Sequence, residues 1–93
     1  MRGILQRLKQ KIVDRDYYLS SHAEEEMVND GLTRQDVEHA ILKGRLEKRM
    51  TKDLRGPRYR IEGAAKDGRM VHVMCRLDEE DTLRIITVYA LPE

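Results

Sequence analysis

The chain has 93 residues and a formal net charge of +1, and its hydrophobic fraction of 40% includes no Trp and no Phe. This length predicts a single domain over residues 1–93 with a modest core of Leu, Ile, Val, Met and Ala. The one cysteine, Cys75, excludes a disulfide within the chain and fits a reducing compartment. Because no apolar run suits a signal peptide or a membrane span, we expect a cytoplasmic protein with no membrane partner.

The first half of the chain predicts helices, over about residues 2–44. The first helix is predicted from Arg2 to about Asp14, because apolar residues recur there at steps of three and four. These residues are Ile4, Leu5, Leu8, Ile12 and Val13.

The second predicted helix begins at a capping box. The hydroxyl of Ser21 is expected to accept from the backbone of the first turn while Glu24 reaches back, so that His22 is the first helical residue. Gly31 can adopt the left-handed conformation that ends this helix.

The third predicted helix follows at once. Thr33 and Asp36 form a second, weaker capping box, and Gly44 ends the helix.

The second half of the chain predicts a sheet over about residues 45–91, because the hydrophobic period changes to two. Strands are expected at 58–64, 70–77 and 82–90, and Arg45 to Asp53 is expected to add an exposed edge strand. The fold class is therefore α+β, with N-terminal helices packed on a twisted antiparallel meander.

Turn residues set the predicted register of this sheet. Asp67 and Gly68 predict a two-residue hairpin turn that places Lys66 opposite Arg69. One face then holds Tyr59, Ile61, His72, Met74 and Arg76. The other face holds Arg60, Glu62, Val71, Val73, Cys75 and Leu77.

A four-residue loop at 78–81 would add to the first face Leu83, Ile85, Thr87 and Tyr89. A five-residue loop would reverse that assignment, and the sequence leaves both registers open.

A basic stretch runs from Lys43 to Arg60, where eight basic residues stand against two acidic ones, a local net charge of +6. Such a stretch is typical either of a solvated surface or of a surface that contacts phosphate. The candidate RNA-binding residues in it are Lys48, Arg49, Lys52, Arg58, Tyr59 and Arg60.

No metal or cofactor motif is present. His72 and Cys75 are three residues apart in a predicted strand, so they point to opposite faces at a separation of roughly 10 Å. Neither a Cys-x-x-Cys nor a His-Glu-x-x-His pattern occurs, and the sequence contains no phosphate-binding or dinucleotide-binding glycine pattern. We therefore expect no metal and no cofactor, and we expect Cys75 to be a core residue.

The remaining reactive side chains are Arg, Lys, His and Tyr, which suit metal-free cleavage of RNA. In that reaction a base removes the proton of the 2′-hydroxyl, cations stabilise the pentacoordinate phosphate, and an acid protonates the leaving oxygen. A helix N-terminus favours a neutral imidazole at His22, which could accept a proton, although the same residue is also ordinary in a first helical turn.

Four segments carry a family resemblance. They read S-x-H-A at 20–23, G-L-T-x-x-D-V-E-x-A-I-x-x-G at 31–44, R-Y-R-I-E-G at 58–63 and I-I-T-V-Y at 85–89. Together they resemble a family of small prokaryotic domains of unassigned function that is grouped with the RelE/ParE toxin superfamily and is often encoded beside a zinc-binding antitoxin.

The resemblance implies a helical layer on a twisted antiparallel sheet and an endoribonuclease toxin neutralised by a partner protein. Cleaving residues in that superfamily are variable cations with a Tyr, His or Glu base on the sheet. The positions that match here are His22, Arg58, Tyr59, Arg60 and Tyr89.

Two more candidates come from the predicted face. His72 is either a core histidine or an acid, and Arg76 in mid-strand needs a partner such as Glu62 or a face open to ligand, because burying it alone is costly. The predicted catalytic residues are therefore His22 or Tyr89 as the base, His72 as the acid and Arg76 as a cation that stabilises the transition state.

The sequence thus predicts a toxin-like, metal-independent endoribonuclease or RNA-binding domain, with an antitoxin protein and RNA or the ribosome as partners. The alternative is an interaction module without catalysis, which docks a protein or a nucleic acid through the same basic stretch. A third hypothesis is a ParE-like inhibitor of a topoisomerase.

Overall fold

The computed structural model describes residues 3–93, which form three helices and one five-stranded sheet. The helices are α1 (Ile4–Val13), α2 (Ser21–Asp30) and α3 (Arg34–Lys43). The strands are β1 (Tyr17–Leu19), β2 (Arg45–Met50), β3 (Arg58–Ala64), β4 (Met70–Leu77) and β5 (Leu83–Ala90). The α+β prediction is confirmed, whereas the helix start predicted at Arg2 lies outside the described residues. Within residues 3–93, no helix has the length and apolar character needed to cross a bilayer.

The sheet has the strand order β1-β5-β4-β3-β2. Strands β2 to β5 form the predicted antiparallel meander. Strand β1 was not predicted, and it makes the sheet mixed because it pairs with β5 in parallel, with Tyr17 opposite Leu83.

The cap of α2 lies one residue earlier than predicted. Ser20, with an extended backbone, is the N-cap, and its hydroxyl oxygen accepts from the Ala23 N–H at 3.0 Å. The prediction of Ser21 as the cap was wrong because both serines suit the position and the end of β1 fixes which one is extended. His22 is consequently the second residue of the helix.

The helix ends follow the predicted chemistry more closely. Gly31 ends α2 in the left-handed conformation, with φ of 65°. At the start of α3, Thr33 and Asp36 form a complete capping box, in which each backbone N–H donates to the side chain of the other residue.

The β3–β4 hairpin has a three-residue turn rather than the predicted two-residue turn. Ala65 pairs with Arg69, and Gly68 takes a φ of 92°, which is typical of a three-residue loop with glycine in the left-handed position. The register therefore differs by one residue from the prediction, so that Ile61 faces Val73 rather than Met74. The predicted grouping of Tyr59 and Ile61 with His72 was wrong for this reason.

The β4–β5 register, which the sequence left open, is that of a five-residue loop, with Leu77 opposite Leu83. The pairing then shifts at Ile86, which has no partner in β4, so this residue is a β-bulge. Before the bulge, Leu83 and Ile85 point to one side of the sheet. After the bulge, Val88 points to that same side and Tyr89 points to the other.

One side of the sheet, called here the covered face, packs against the helices. Its buried residues from β3 to β5 are Tyr59, Ile61, Val71, Val73, Cys75, Leu83, Ile85 and Val88. They form one cluster with helical residues such as Leu8, Ala23 and Ile41. At Gly63 the backbone of α3 lies so close that an added Cβ would stand 2.0 Å from the carbonyl oxygen of Ala40.

Helix α2 also covers the edge of β5 beyond the short strand β1. Side-chain oxygens of Glu26 and Asp30 accept the backbone N–H groups of Val88 and Ala90, at 3.2 and 2.9 Å. These carboxylates satisfy donors that a neighbouring strand would otherwise pair, so this edge is closed to further strands.

Candidate nucleic-acid interface

The opposite side of the sheet, called here the open face, is predominantly charged. It takes alternate residues of β3, β4 and β5, which share a side because directly paired residues of antiparallel strands point the same way. These residues are Arg58, Arg60, Glu62, His72, Met74, Arg76, Arg84, Thr87 and Tyr89. The register thus assembles five of the candidate site residues on one surface, including Arg60, which the prediction placed on the other side.

The bulge at Ile86 brings Tyr89 to this surface. Ile85 is buried on the covered face, and in a regular strand a residue four positions later would point the same way. Because Ile86 is an extra residue, Tyr89 instead lies opposite His72 on the open face. The Ser20 hydroxyl donates to the Ile86 carbonyl at 2.8 Å, which helps to hold the bulge in place.

Glu62, His72 and Tyr89 lie side by side across three strands and form the histidine row. The His72 Nδ1 atom is 3.0 Å from the Tyr89 hydroxyl, and Nε2 is 2.9 Å from Glu62 Oε2. A carboxylate can only accept, so in the neutral ring Nε2 carries the proton and Nδ1 accepts from the tyrosine. The row can therefore pass a proton from Tyr89 to His72.

Glu62 is the anion of the histidine row. Hydrogen bonds from His72 and then from Arg45 lower the pKa of the Glu62 carboxyl. The ionised carboxylate on Nε2 holds the ring in one orientation and stabilises an imidazolium when it forms.

Arg60 stands beside the histidine row and has a fixed orientation. Its guanidinium group donates from Nε and Nη2 to the two carboxylate oxygens of Glu47, a bidentate pair. The hydrogen bond with Glu47 raises the pKa of Arg60, and the nearby Tyr89 hydroxyl raises it further. A positive charge is thus held next to the hydroxyl that the histidine row presents.

The other end of the open face holds the arginine cluster, which consists of Arg58, Arg76 and Asp53. Asp53 belongs to the loop between β2 and β3, and its Oδ2 atom is 3.1 Å from Arg58 Nε and 3.6 Å from Arg76 Nη2. The predicted partner of Arg76 was a residue such as Glu62, but Glu62 pairs with His72 instead.

Arg76 is the least satisfied cation of the open face. Its side chain is only 11% exposed, and its Nε and Nη1 atoms are buried without a hydrogen-bond partner among the described residues. Leaving a buried donor unsatisfied costs about 1–3 kcal/mol. This end of the surface therefore retains donors that a ligand could use.

The remaining predicted RNA-binding residues divide between the two sides of the sheet. Lys48 is opposite Arg60 on β2 and so points to the side of the open face, Lys52 follows in the loop, and Arg49 is opposite Tyr59 on the covered side. The guanidinium carbon of Arg49 lies over the Tyr59 ring, 5.7 Å from its centroid. Tyr59 itself is only 8% exposed and belongs to the core, so its ring packs beneath Arg49 rather than on the open face.

His22 lies apart from the histidine row in its contacts. Its side chain is 63% exposed, and Nε2 is 3.2 Å from Glu26 of the same helix. Glu26 in turn accepts from the Val88 backbone at the edge of β5. His22 therefore contacts the carboxylate that joins α2 to the edge of β5, and none of its described contacts is with an open-face residue.

Cys75 is fully buried on the covered face, as the sequence predicts, and burial raises the pKa of its thiol to about 12. Across residues 3–93, no three His, Cys, Asp or Glu side chains group closely enough to hold a metal ion.

Of the three carboxylates that organise this surface, sequence reasoning missed Glu47 and Asp53 and named Glu62 only as a partner for Arg76, whereas its partner is His72. Glu47, Asp53 and Glu62 are respectively the partners of Arg60, of the arginine cluster and of His72. The position of Glu47 and Asp53 within the basic stretch was the only signal for those two residues, since the pairings depend on the register.

Comparison with known proteins gives one match. The sequence profile of the family described as "Domain of unknown function (DUF4258)" matches residues 19–90. Searches among curated proteins and among solved structures gave no match.

Proposed function

The chain belongs to the family DUF4258, a domain of unknown function, and we propose that it is a toxin-like endoribonuclease of the RelE/ParE type that binds RNA on its open face. The observation that carries the proposal is the histidine row beside Arg60. It combines an oriented acid–base pair with a fixed cation on an accessible, basic surface.

The chemistry uses the 2′-hydroxyl of RNA as the nucleophile. The Tyr89 oxygen takes the 2′-hydroxyl proton while its own proton passes to His72 Nδ1, and Glu62 stabilises the resulting imidazolium. The 2′-oxygen bonds to phosphorus, the bond from phosphorus to the 5′-oxygen breaks, and the 5′-oxygen takes a proton from solvent. The products are a 2′,3′-cyclic phosphate and a 5′-hydroxyl end, and no metal takes part.

Arg60 has the electrostatic role in this scheme. Negative charge grows on the non-bridging phosphate oxygens in the transition state, and a cation already held in position stabilises it without reorganisation. The pair with Glu47 provides that fixed position.

RNA binding is assigned to cations of the edge strand β2 and of the loop that follows it. Arg49, Lys48 and Lys52 make no ion pair with any described residue, so their charges are available to the phosphate backbone. We further propose that the protein acts in the cytoplasm on free or ribosome-bound RNA and that an antitoxin protein covers this surface.

The test is to incubate the purified protein with a defined messenger RNA, with and without translating ribosomes and with EDTA present. We expect discrete new ends that carry cyclic phosphates. Tyr89→Phe should reduce the cleavage rate about a hundredfold or more, because it removes the proton-transfer group. Tyr18→Phe is the matched control, since it removes a hydrogen-bonded hydroxyl from β1, where the partner is Asp78.

Other outcomes redirect the assignment. Cleavage that is equal in the wild type and in Tyr89→Phe would exclude the histidine row as the reactive group. Intact RNA in every reaction, together with RNA binding, would favour the interaction module. Intact RNA with inhibited DNA supercoiling by a topoisomerase would favour the ParE-like alternative.

A further inference from the structure

The arginine cluster has more hydrogen-bond donors than acceptors. Asp53 Oδ2 is shared by Arg58 and Arg76, while Asp53 Oδ1 accepts from the Arg55 N–H at 2.8 Å. Arg58 Nε is close enough to Asp53 for an ion pair but lacks hydrogen-bond geometry to it. This atom and the Nε and Nη1 of Arg76 are buried without a hydrogen-bond partner among residues 3–93. One carboxylate oxygen thus serves two guanidinium groups and leaves both incompletely bonded.

A phosphate group meets this demand better than a carboxylate does. Each guanidinium offers five N–H donors in a planar fork, which matches the spacing of phosphate oxygens. A phosphate presents several acceptor oxygens in a tetrahedral arrangement and can therefore bond two forks at once. We propose that Arg58 and Arg76 form a binding site for a phosphate group and that the Asp53 carboxylate occupies the position of that phosphate in the free protein.

The charge around the cluster indicates the side from which the phosphate enters. A pocket of about 440 Å³ opens beside Asp53, and its lining includes Arg49, Lys52 and Arg58 with no other acidic residue. Arg76 also lines a second pocket, in which Arg55, Arg76 and Arg84 are balanced by Asp78, Glu79 and Glu80. The first pocket carries the excess of positive charge, so a phosphate is attracted more strongly to that side.

The loop that carries Asp53 contains a short turn with an exposed tip. The turn from Asp53 to Gly56 is closed by its own backbone hydrogen bond, from the Gly56 N–H to the Asp53 carbonyl at 3.1 Å. At its tip, Leu54 is fully exposed and therefore does not anchor the loop to the core. We therefore expect the turn to move as a unit when a phosphate displaces Asp53 from the two arginines.

This inference rests on the proposed function for the source of the phosphate, which is the RNA backbone. The site itself also fits a free oligophosphate. Two probes separate the sources: inorganic pyrophosphate, and a short 2′-O-methyl RNA, which keeps its phosphates and cannot be cleaved through the 2′-oxygen.

The decisive variant is Asp53→Asn, which removes the negative charge and keeps the side-chain oxygen that accepts from Arg55. Asp67→Asn is its matched control. Asp67 occupies the β3–β4 turn, and it likewise accepts from the backbone N–H two residues later and pairs with an arginine, Arg69. Both variants raise the net charge by one.

Binding of the RNA probe is measured by fluorescence anisotropy over a range of salt concentrations, and binding of pyrophosphate by the rise in thermal midpoint. We expect Asp53→Asn to bind both probes about tenfold more tightly than wild type, because a competing charge in direct contact is removed. The plot of log affinity against log salt should steepen by about 0.7, the value for one added phosphate contact. Asp67→Asn should stay within about twofold of wild type.

A second pair of variants assigns the gain to Arg76. Arg76→Gln in the Asp53→Asn protein should abolish the gain, whereas Arg84→Gln, which removes an exposed cation opposite Arg76, should keep most of it. Circular dichroism shows whether each variant is folded. If Arg76→Gln does not fold, the comparison of Asp53→Asn with Asp67→Asn still decides the proposal.

The outcomes separate this inference from the proposed function. Equal effects of Asp53→Asn and Asp67→Asn on both probes would overturn the phosphate site, whatever the result of the Tyr89→Phe cleavage assay. A gain for pyrophosphate alone would support the site and overturn RNA as its ligand. A gain for both probes without any cleavage would support the site and leave the endoribonuclease proposal refuted.

Discussion

The covered and open faces of β3 and β4 are made by neighbouring residues in the sequence, yet they are stabilised in different ways. On the covered face, Ile61 and Val73 are fully buried and packed by shape against the helices. On the open face, Arg60 and His72 are held by carboxylate partners and remain partly exposed. The first arrangement contributes to the free energy of unfolding, and the second orients reactive groups.

This contrast separates the residues that stabilise the fold from those of the proposed site by alternation along a strand. A buried aliphatic side chain contributes several kcal/mol, whereas a partly exposed ion pair contributes about 0–1 kcal/mol. Substitutions one residue apart should therefore affect different measurements, and the four predictions below test that separation from its largest expected effect to its smallest.

The closest packing on the covered face is at Gly63. Gly63→Ala should destabilise the protein by about 3 kcal/mol or more, because its Cβ would overlap the Ala40 carbonyl oxygen of α3. Chemical denaturation of the variant measures the loss. Gly3→Ala is the control, since no atom lies within 4 Å of an added Cβ there, and an equal loss in both variants would contradict the packing argument.

Ile61 and Arg60 test the alternation directly. Ile61→Ala should cost about 2–5 kcal/mol of unfolding free energy, because it leaves a cavity in the core. Arg60→Ala should cost about 1 kcal/mol or less and should reduce RNA cleavage about a hundredfold. Urea denaturation and the cleavage assay together measure both variants, and a large loss of stability in Arg60→Ala would remove the distinction between the faces.

Alkaline pH should weaken the covered face through Cys75. Burial raises the pKa of the thiol to about 12 from an ordinary 9.0, so the stability that this thiol contributes is complete below pH 9 and is lost as the pH rises towards 12. The loss should reach about 1.4 kcal/mol for each pH unit.

The measurement compares wild type with Cys75→Val at about pH 8 and about pH 10 by urea denaturation. The free energy of unfolding of the wild type should fall more steeply than that of the variant. Tyr17, whose pKa is raised to about 12 by burial and by Glu38, titrates equally in both proteins and cancels in the comparison. Parallel pH profiles would show that the thiol is accessible in the folded protein.

Acidic pH should weaken the open face through Glu62. Its pKa is lowered from an ordinary 4.5 by hydrogen bonds with His72 and Arg45, so its contribution is present above pH 4.5 and is lost as the pH falls through the folded value. The difference in stability between wild type and Glu62→Gln should shrink between about pH 6 and about pH 3. A constant difference over that range would indicate that the hydrogen bond of the His72 ring does not depend on the Glu62 charge.

Much of the fold could be predicted from the sequence because it depends on local signals. Hydrophobic periodicity located the three helices and strands β3 to β5, and the many cations of Arg45 to Asp53 predicted β2 as an exposed edge strand. Thr33, Gly31 and Asp36 acted at helix ends as their chemistry requires. Strand β1 was missed because three residues carry too little periodicity, and its pairing partner Leu83 is remote in sequence.

The candidate site was predicted less completely because it depends on register. A choice between two and three turn residues at Asp67 and Gly68 reversed the predicted face of Tyr59. The bulge at Ile86 shifts the alternation of β5 by one residue and so brings Tyr89 to the same side as His72. No local signal in the sequence marks this bulge. Residue types pointed to His72, Arg76 and Tyr89, but the pairing of His72 with Glu62 and with Tyr89, and of Arg76 with Asp53, required the structure.

The position of β5 has a consequence for how the protein is made. This strand is the last in chain order, yet it lies between β1 and β4 and donates two backbone hydrogen bonds to side-chain carboxylates of α2. Contacts between such distant segments form late, because closing a long loop costs entropy before the contacts repay it. Until synthesis passes Ala90, the nascent chain lacks a strand from the middle of its sheet and Tyr89 from its surface, so neither the core nor the histidine row is complete on a partly made chain.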